Sequence, residues 1–414
     1  MSRLGQILAP RRLGVGFRWL LASSWTSNLG DGLALAAGPL LIASQTRDPR
    51  LVALAVLLQQ LPWLLFGLYA GVLADRLDRR VLVVTVDLVR VGVLAGLAAA
   101  IATGAAGVPV VLGALFLLGT AEVFADSAAA TLLPMLVARR DLAVGNARLQ
   151  AGTLTMNQLV GPPVGAALFA AGALWPFVAQ GVLVGAGALL VSRVVLAPHR
   201  TARTAGQRVR HDVAEGVRWV RHSPAVRTLV LTIFTFNITF GAAWSVLVLY
   251  ASDRLGLGPV GYGLITTCSA VGGLAGTAAY GWITRHVRLG DLMRIGLVVE
   301  TLTHLALALT TSPAVAMAVF FVFGAHAFIW STTSVTVRQR AVPSRLQGRV
   351  TSVNGLGVYG GMVAGSALGG LIAARWGVTG PFWFAFVGSA VFCVLIWGQL
   401  AHIAHADEQE GAPV

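Results

Sequence analysis

Apolar residues fill this chain in long runs, separated by short polar stretches that hold most of its charge. The runs fall near residues 17–44, 51–74, 81–103, 108–131, 147–170, 174–196, 226–251, 258–283, 290–310, 313–336, 350–373 and 379–400. A helix rises about 1.5 Å per residue, so each run is about long enough to cross a hydrocarbon layer of roughly 30 Å. The pattern predicts an all-α polytopic membrane protein with twelve transmembrane helices. One longer polar segment, 197–225, divides six runs from six. It therefore predicts an N-terminal six-helix half over 1–196, a cytoplasmic linker over 197–225, and a C-terminal six-helix half with a short cytoplasmic tail over 226–414. Within the linker, Val213, Val217 and Val220 recur at helical spacing opposite charged residues, which predicts a surface helix lying on the lipid headgroups. The first run is longer than a signal-peptide core and no small-residue cleavage site follows it, so it is expected to stay as a helix.

Composition agrees with a lipid environment. Hydrophobic residues make up 56% of the 414, charged residues 11%, and the mean hydropathy is +0.78. These values lie outside the range of soluble domains. The formal charge of +14 does not indicate a nucleic-acid partner, because the basic residues sit in short clusters between apolar runs instead of along one face. They read instead as orientation signals. Alternate loops separate cleanly: one set of loops contains 25 arginines, the opposite set only Arg47, Arg50, Arg254 and Arg375, and Arg90 lies inside a run. Both termini are thus expected in the cytoplasm of a cell whose inner (plasma) membrane holds the chain. All 30 Lys+Arg residues are arginine, which rules out a phosphate-loop lysine and Schiff-base chemistry. Cys268 and Cys393 fall within apolar runs and read as small buried hydrophobes, with no disulfide or metal site implied.

The two halves repeat weakly. Gly161 and Gly165 recur as Gly361 and Gly365, Pro176-Phe177 recurs as Pro381-Phe382, and Gly71 with Arg76 and Arg79 is echoed by Gly281 with Arg285 and Arg288. Two six-helix halves related by a parallel repeat account for this. Glycine-rich stretches such as Gly181 to Gly187 are packing devices, since lipid offers no hydrophobic drive between helices.

After the second run stands Gly71-Val-Leu-Ala-Asp75-Arg76-Leu-Asp78-Arg79-Arg80. It resembles the loop 2–3 motif of the major facilitator superfamily. The resemblance implies a conformational latch in which Gly71 permits close helix contact, Asp75 caps a helix of the other half, and Arg76, Arg79 and Arg80 pair with acids at neighbouring helix ends. An anion at a helix N-terminus contributes about 0.3–1 kcal/mol when exposed. Asp78 departs from the family, which usually has glycine there. In the fifth run, Asn157-Gln-Leu-Val-Gly161-Pro162-Pro163-Val-Gly165-Ala166 is similar to the Gly-Pro motif of the family's proton-coupled exporters, and implies a helix bend that shapes the cavity. Asn157 and Ala166 stand where that motif often has glycine. Ser27-Asn28-Leu-Gly30-Asp31-Gly32, Gly119 through Pro134, and Pro343 with Leu346 to Val350 extend the similarity to the branch of macrolide exporters and the enterobactin exporter.

Ionisable groups inside the runs are few, and a charge at mid-bilayer costs roughly 2.5–3.5 kcal/mol on the insertion scale, so each one marks a candidate pathway. Asp31 and Glu122 lie near the middle of runs 1 and 4, which the resemblance puts at the central cavity. They are the leading proton-coupling candidates, with His326 in run 10 as a third. Asp126, one turn beyond Glu122, reads as a latch acid paired with Arg79 or Arg90, while Asp87 and Arg90 can also neutralise each other at i,i+3. Glu300 and His304 read as a local pair. Asn28, Asn237, Trp244 and Trp330 are candidates for the substrate cavity, although a tryptophan near a span end also serves as an interface anchor. The expected function is secondary active export of amphipathic small molecules, whether drug, antibiotic or siderophore-like, by proton antiport with alternating access. A proton-independent facilitator or importer is the alternative. The expectation includes no cofactor beyond the proton gradient as energy source, no metal, no enzyme activity, a small-molecule substrate, membrane lipid as surroundings, and a monomer.

Overall fold

The computed structural model describes residues 11–196, 209–343 and 346–399. Its helices are α1 (Gly14–Gln45), α2 (Pro49–Arg76), α3 (Arg79–Ala102) and α4 (Val108–Ala130), followed by a broken α5. The last of these runs Leu142–Gly152, passes through a π-helical stretch at Thr153–Val160, and continues as Gly161–Ala171. Then come α6 (Trp175–Ser192), α7 (Val209–His222), α8 (Pro224–Trp244), α9 (Pro259–His286), α10 (Leu289–Leu309), α11 (Pro313–Ala341), α12 (Gln347–Trp376) and α13 (Gly380–Ile396). No strand occurs among the described residues.

The sequence explains where many of these helices start and stop. Proline occupies one of the first two positions of α4, α6, α8, α9, α11 and α13, where its missing N–H costs nothing. Asp78 caps α3 by accepting from the Val81 N–H at 3.1 Å. Gly377, at φ +79°, ends α12 in a left-handed conformation that other residues avoid.

Eight helices among the described residues are long and apolar enough to cross a membrane. The twelve runs read from the sequence exceed that number for physical reasons. The middle of α1 carries Ser23, Ser24, Thr26, Ser27, Asn28 and Asp31, α9 is rich in glycine and threonine, α5 is broken by its π-helical stretch, and α13 is apolar but short. The run at 226–251 is likewise not one helix. It ends at Trp244 and resumes as Leu247–Leu249 and a π-helical turn Tyr250–Arg254, held by the buried Tyr250 hydroxyl donating to Leu307 O at 2.6 Å.

The chain forms two compact units. Unit 1 contains residues up to 46, 58–205 and 259–267, and unit 2 contains 47–57, 206–258 and 268 onward. In unit 1, α1 crosses α5 at backbone distance: a Cβ on Gly161 would lie 2.4 Å from Gly32 Cα, and one on Gly165 would lie 2.4 Å from Leu33 O. On another side, Ser23 Oγ of α1 donates to Gly187 O of α6 at 2.8 Å. In unit 2, α8 and α12 cross the same way. A Cβ on Gly361 would lie 2.6 Å from Phe234 O, and one on Gly365 2.3 Å from Ile238 O. Small residues thus set the helix approach in both units.

The linker helix α7 belongs to unit 2. It docks on α12 within unit 2, with Glu215 Oε2 2.6 Å from Arg349 Nη1 and a Cβ on Gly216 only 2.8 Å from Arg349 O. Val220 is buried with Val226, Val342, Leu346, Val350 and Val353, whereas Val217 is exposed. The docking face is set by Gly216 and Val220, so of the valine stripe Val220 turns inward and Val217 does not.

Candidate functional site

The site in unit 1 is built around Arg90, which sits on α3 at 2% exposure. One of its terminal nitrogens, Nη1, donates to Asp87 Oδ1 at 3.2 Å, one turn earlier on the same helix. The other, Nη2, donates to Asp31 Oδ1 on α1. The guanidinium also feels the charges of Glu122 and Asp126 on α4. Asp87 is buried, Glu122 is half-buried and Asp126 is exposed. Arg90 thus keeps the Asp87 partner expected from the sequence and adds Asp31, an acid read there as a coupling candidate. The i,i+3 rule found Asp87, but a partner 59 residues away on another helix has no local signal.

The Gly-Pro motif positions Asp31. A Cβ on Gly32 would meet Asn157 O at 2.6 Å and Gly161 Cα at 2.9 Å, and on the opposite side a Cβ on Gly30 would meet Leu183 Cβ at 3.3 Å. The α1 backbone is thus gripped on either side of Asp31 by α5 and α6. Pro162 and Pro163 lie in the first turn after the π-helical stretch, a local widening of the helix that ends at Val160. Asn28 is tied into α1 itself, donating to Ser24 O at 2.8 Å.

Around the loop after α2, Arg79 donates from Nε to Ala74 O at 3.3 Å and from Nη1 to Met135 Sδ at 2.9 Å. Arg80 donates to Val194 O at 3.1 Å, Arg76 is exposed, and the Asp75 side chain lies outside the described residues. Gly71 is not a point of close helix contact here, because a Cβ on it would meet nothing within 4 Å. Asp78, which breaks the family pattern, supplies the α3 cap.

In unit 2, Asn237 donates to Ile233 O at 2.7 Å. Trp244 packs on Phe240 with ring centroids 4.9 Å apart and helps line a small cavity with Phe320, Phe323 and Phe382. Trp330 packs inward against Phe236 and over Gly296 and is not a span-end anchor. His326 Nε2 lies 3.3 Å from Glu300 Oε2, so His326 and the Glu300–His304 pair are one cluster and not the two separate features expected. Among the described residues, no group of His, Cys, Asp and Glu is arranged to hold a metal ion.

Comparison with known proteins places this arrangement in a family. The model of the family described as transmembrane secretion effector matches residues 6–413. The chain belongs to the major facilitator superfamily. It is a multi-pass membrane transporter and not an enzyme. It is 25% identical over 371 residues to macrolide efflux protein A of Streptococcus pyogenes, covering 86% of this transporter and 88% of that protein. It is 38% identical over 130 residues to an MFS-type transporter of Mycobacterium tuberculosis, a match spanning 31% of this chain and only 29% of the relative's length. Solved structures that share its fold include two bacterial transporters. A bacterial homologue of the iron transporter ferroportin in its inward-facing state has TM-score 0.73 at 17% identity, covering 93% of this chain and 98% of that one. A bacterial homologue of the lysosomal transporter Spinster has TM-score 0.72 at 13% identity, covering 98% and 100%.

Proposed function

We propose that this transporter exports amphipathic small molecules in exchange for protons, by alternating access, with Asp31 and Glu122 as the coupling acids. The observation that carries the reading is the shortage of positive charge around Arg90. Asp31 and Asp87 both pair with it and the half-buried Glu122 acts on it, so among the described residues this one buried guanidinium serves three carboxyls. Uncompensated charge is costly in a dry interior, and uptake of a proton or a cationic substrate relieves it. The efflux relative supports the outward direction. This reading further takes the fold as twelve spans in two repeated halves, in the inner membrane, with both termini in the cytoplasm, as a monomer.

The test uses the full-length protein in proteoliposomes loaded with a radiolabelled macrolide, with and without an imposed pH gradient. Wild type should show gradient-driven movement. Asp31→Asn should reconstitute normally but lose that response, and Glu122→Gln should weaken it. Full gradient response in both variants would remove these acids from the coupling role, and gradient-independent movement by wild type would favour a facilitator.

A further inference from the structure

Unit 2 holds a second buried ionisable cluster, apart from the acids around Arg90. Glu300 sits in the middle of α10 at 5% exposure, with its carboxylate between two imidazoles. His304, one turn along the same helix, places Nε2 3.2 Å from Oε1, and His326 of α11 places Nε2 3.3 Å from Oε2. An ionised carboxylate only accepts, so both rings donate through Nε2, which leaves Nδ1 on each ring as the place for a further proton. His304 Nδ1 is buried and has no hydrogen-bond partner among the described residues. The same ring forms part of the wall of a cavity of about 10 Å³, lined also by Thr303 and by Phe240, Trp244, Phe320 and Phe323.

Gly296, one turn before Glu300, makes the meeting of α10 and α11 possible. A Cβ there would lie 2.9 Å from His326 Cε1, 3.1 Å from His326 Nδ1 and 2.7 Å from Trp330 Cδ1. The neighbourhood is otherwise poor in charge. On α10, Asp291 and Arg294 pair with each other at 3.2 Å, more than a turn away. On the helices around it, α13 contributes only Cys393, α8 carries Arg227 in its first turn, and α11 carries Arg338 and Arg340 in its last turn. The charged partners acting on Glu300 are His304 and His326. With both rings neutral, the cluster has charge −1 in an apolar interior, and one added proton brings it to zero.

We propose that Glu300, His304 and His326 form a second proton-binding site, in which one proton is shared between the two imidazoles and balanced by the carboxylate. The proton adds to a ring Nδ1, the ring becomes imidazolium, and no other bond changes. This site stands whether or not the acids around Arg90 carry coupling.

The test is nitrogen-15 NMR of the full-length protein in detergent, labelled at histidine, with the two rings assigned through His304→Gln and His326→Gln. At pH 7 the two wild-type rings together should report one imidazolium, and Glu300→Gln should return both to the neutral form. Two neutral rings in wild type would overturn the proposal, as would an imidazolium that persists in Glu300→Gln. Should that variant fail to fold, Gly296→Ala serves, because its methyl group crowds His326 away from Glu300. There the imidazolium signal of His326 should disappear at pH 7, and its persistence contradicts a shared site.

Discussion

At the scale of single residues, the decisive contacts in unit 1 are the two ion pairs of Arg90, with Asp31 and with Asp87. Removing one partner of a buried ion pair leaves a charge without compensation, at a cost of about 3–5 kcal/mol. Arg90→Ala should therefore lower the thermal unfolding temperature sharply in detergent, whereas Arg76→Ala, at an exposed position, should leave it nearly unchanged. Equal stability of the two variants would mean that Arg90 is not structural. The sequence shows Asp31, Glu122 and Arg90 as charges in apolar runs, because charge is rare there. It does not show which of them touch. Spacing along one helix reveals Asp87 and His304, while Asp31 with Arg90 and Glu300 with His326 meet across helices, and such pairs leave no periodicity to read.

Helix contacts explain why glycine placement was legible while its meaning was only half so. Gly161, Gly165, Gly361 and Gly365 stand out as packing positions, and each lies against the backbone of a neighbouring helix. The partners of Gly161 and Gly165, which are Gly32 and Leu33, could not be read from the motif, because contacts across helices leave no local pattern. Overpacking a close-packed contact costs about 1–3 kcal/mol. Gly161→Val should therefore push α1 away from α5 and disturb Asp31, lowering both stability and gradient-driven export, while Gly71→Val should be tolerated in stability because nothing lies near it. The linker helix gives a second case. Gly216→Val should undock α7 from α12 and raise protease cleavage in the linker, and the exposed Val217→Thr should not. Matching cleavage rates in the two variants would contradict the docking face described here.

Over the whole molecule, the alternation of apolar runs with arginine clusters was the strongest signal, because a bilayer penalises charge in its core and sorts arginine to the cytoplasmic side. Helix boundaries in the structure follow most of those runs closely, apart from 226–251, which breaks after Trp244, while α1, α5 and α9 fall short as apolar spans where polar and glycine residues interrupt the pattern. Those interruptions belong to function and packing more than to membrane insertion, which is why hydropathy alone underrates them. The orientation proposed from 25 arginines against 4 can be measured directly. In a background of Cys268→Ser and Cys393→Ser, single cysteines at the exposed positions Arg47 and Arg76 report the two sides of the membrane. A membrane-impermeant maleimide applied to intact cells should label Arg47→Cys, and should reach Arg76→Cys only after the membrane is opened. The arginine bias orients a chain through its short loops, and these two positions end adjacent ones, so a single inverted or missing span between them would place both on one side. Labelling of Arg76→Cys in intact cells would thus reverse the orientation, and with it the cytoplasmic placement of the linker helix.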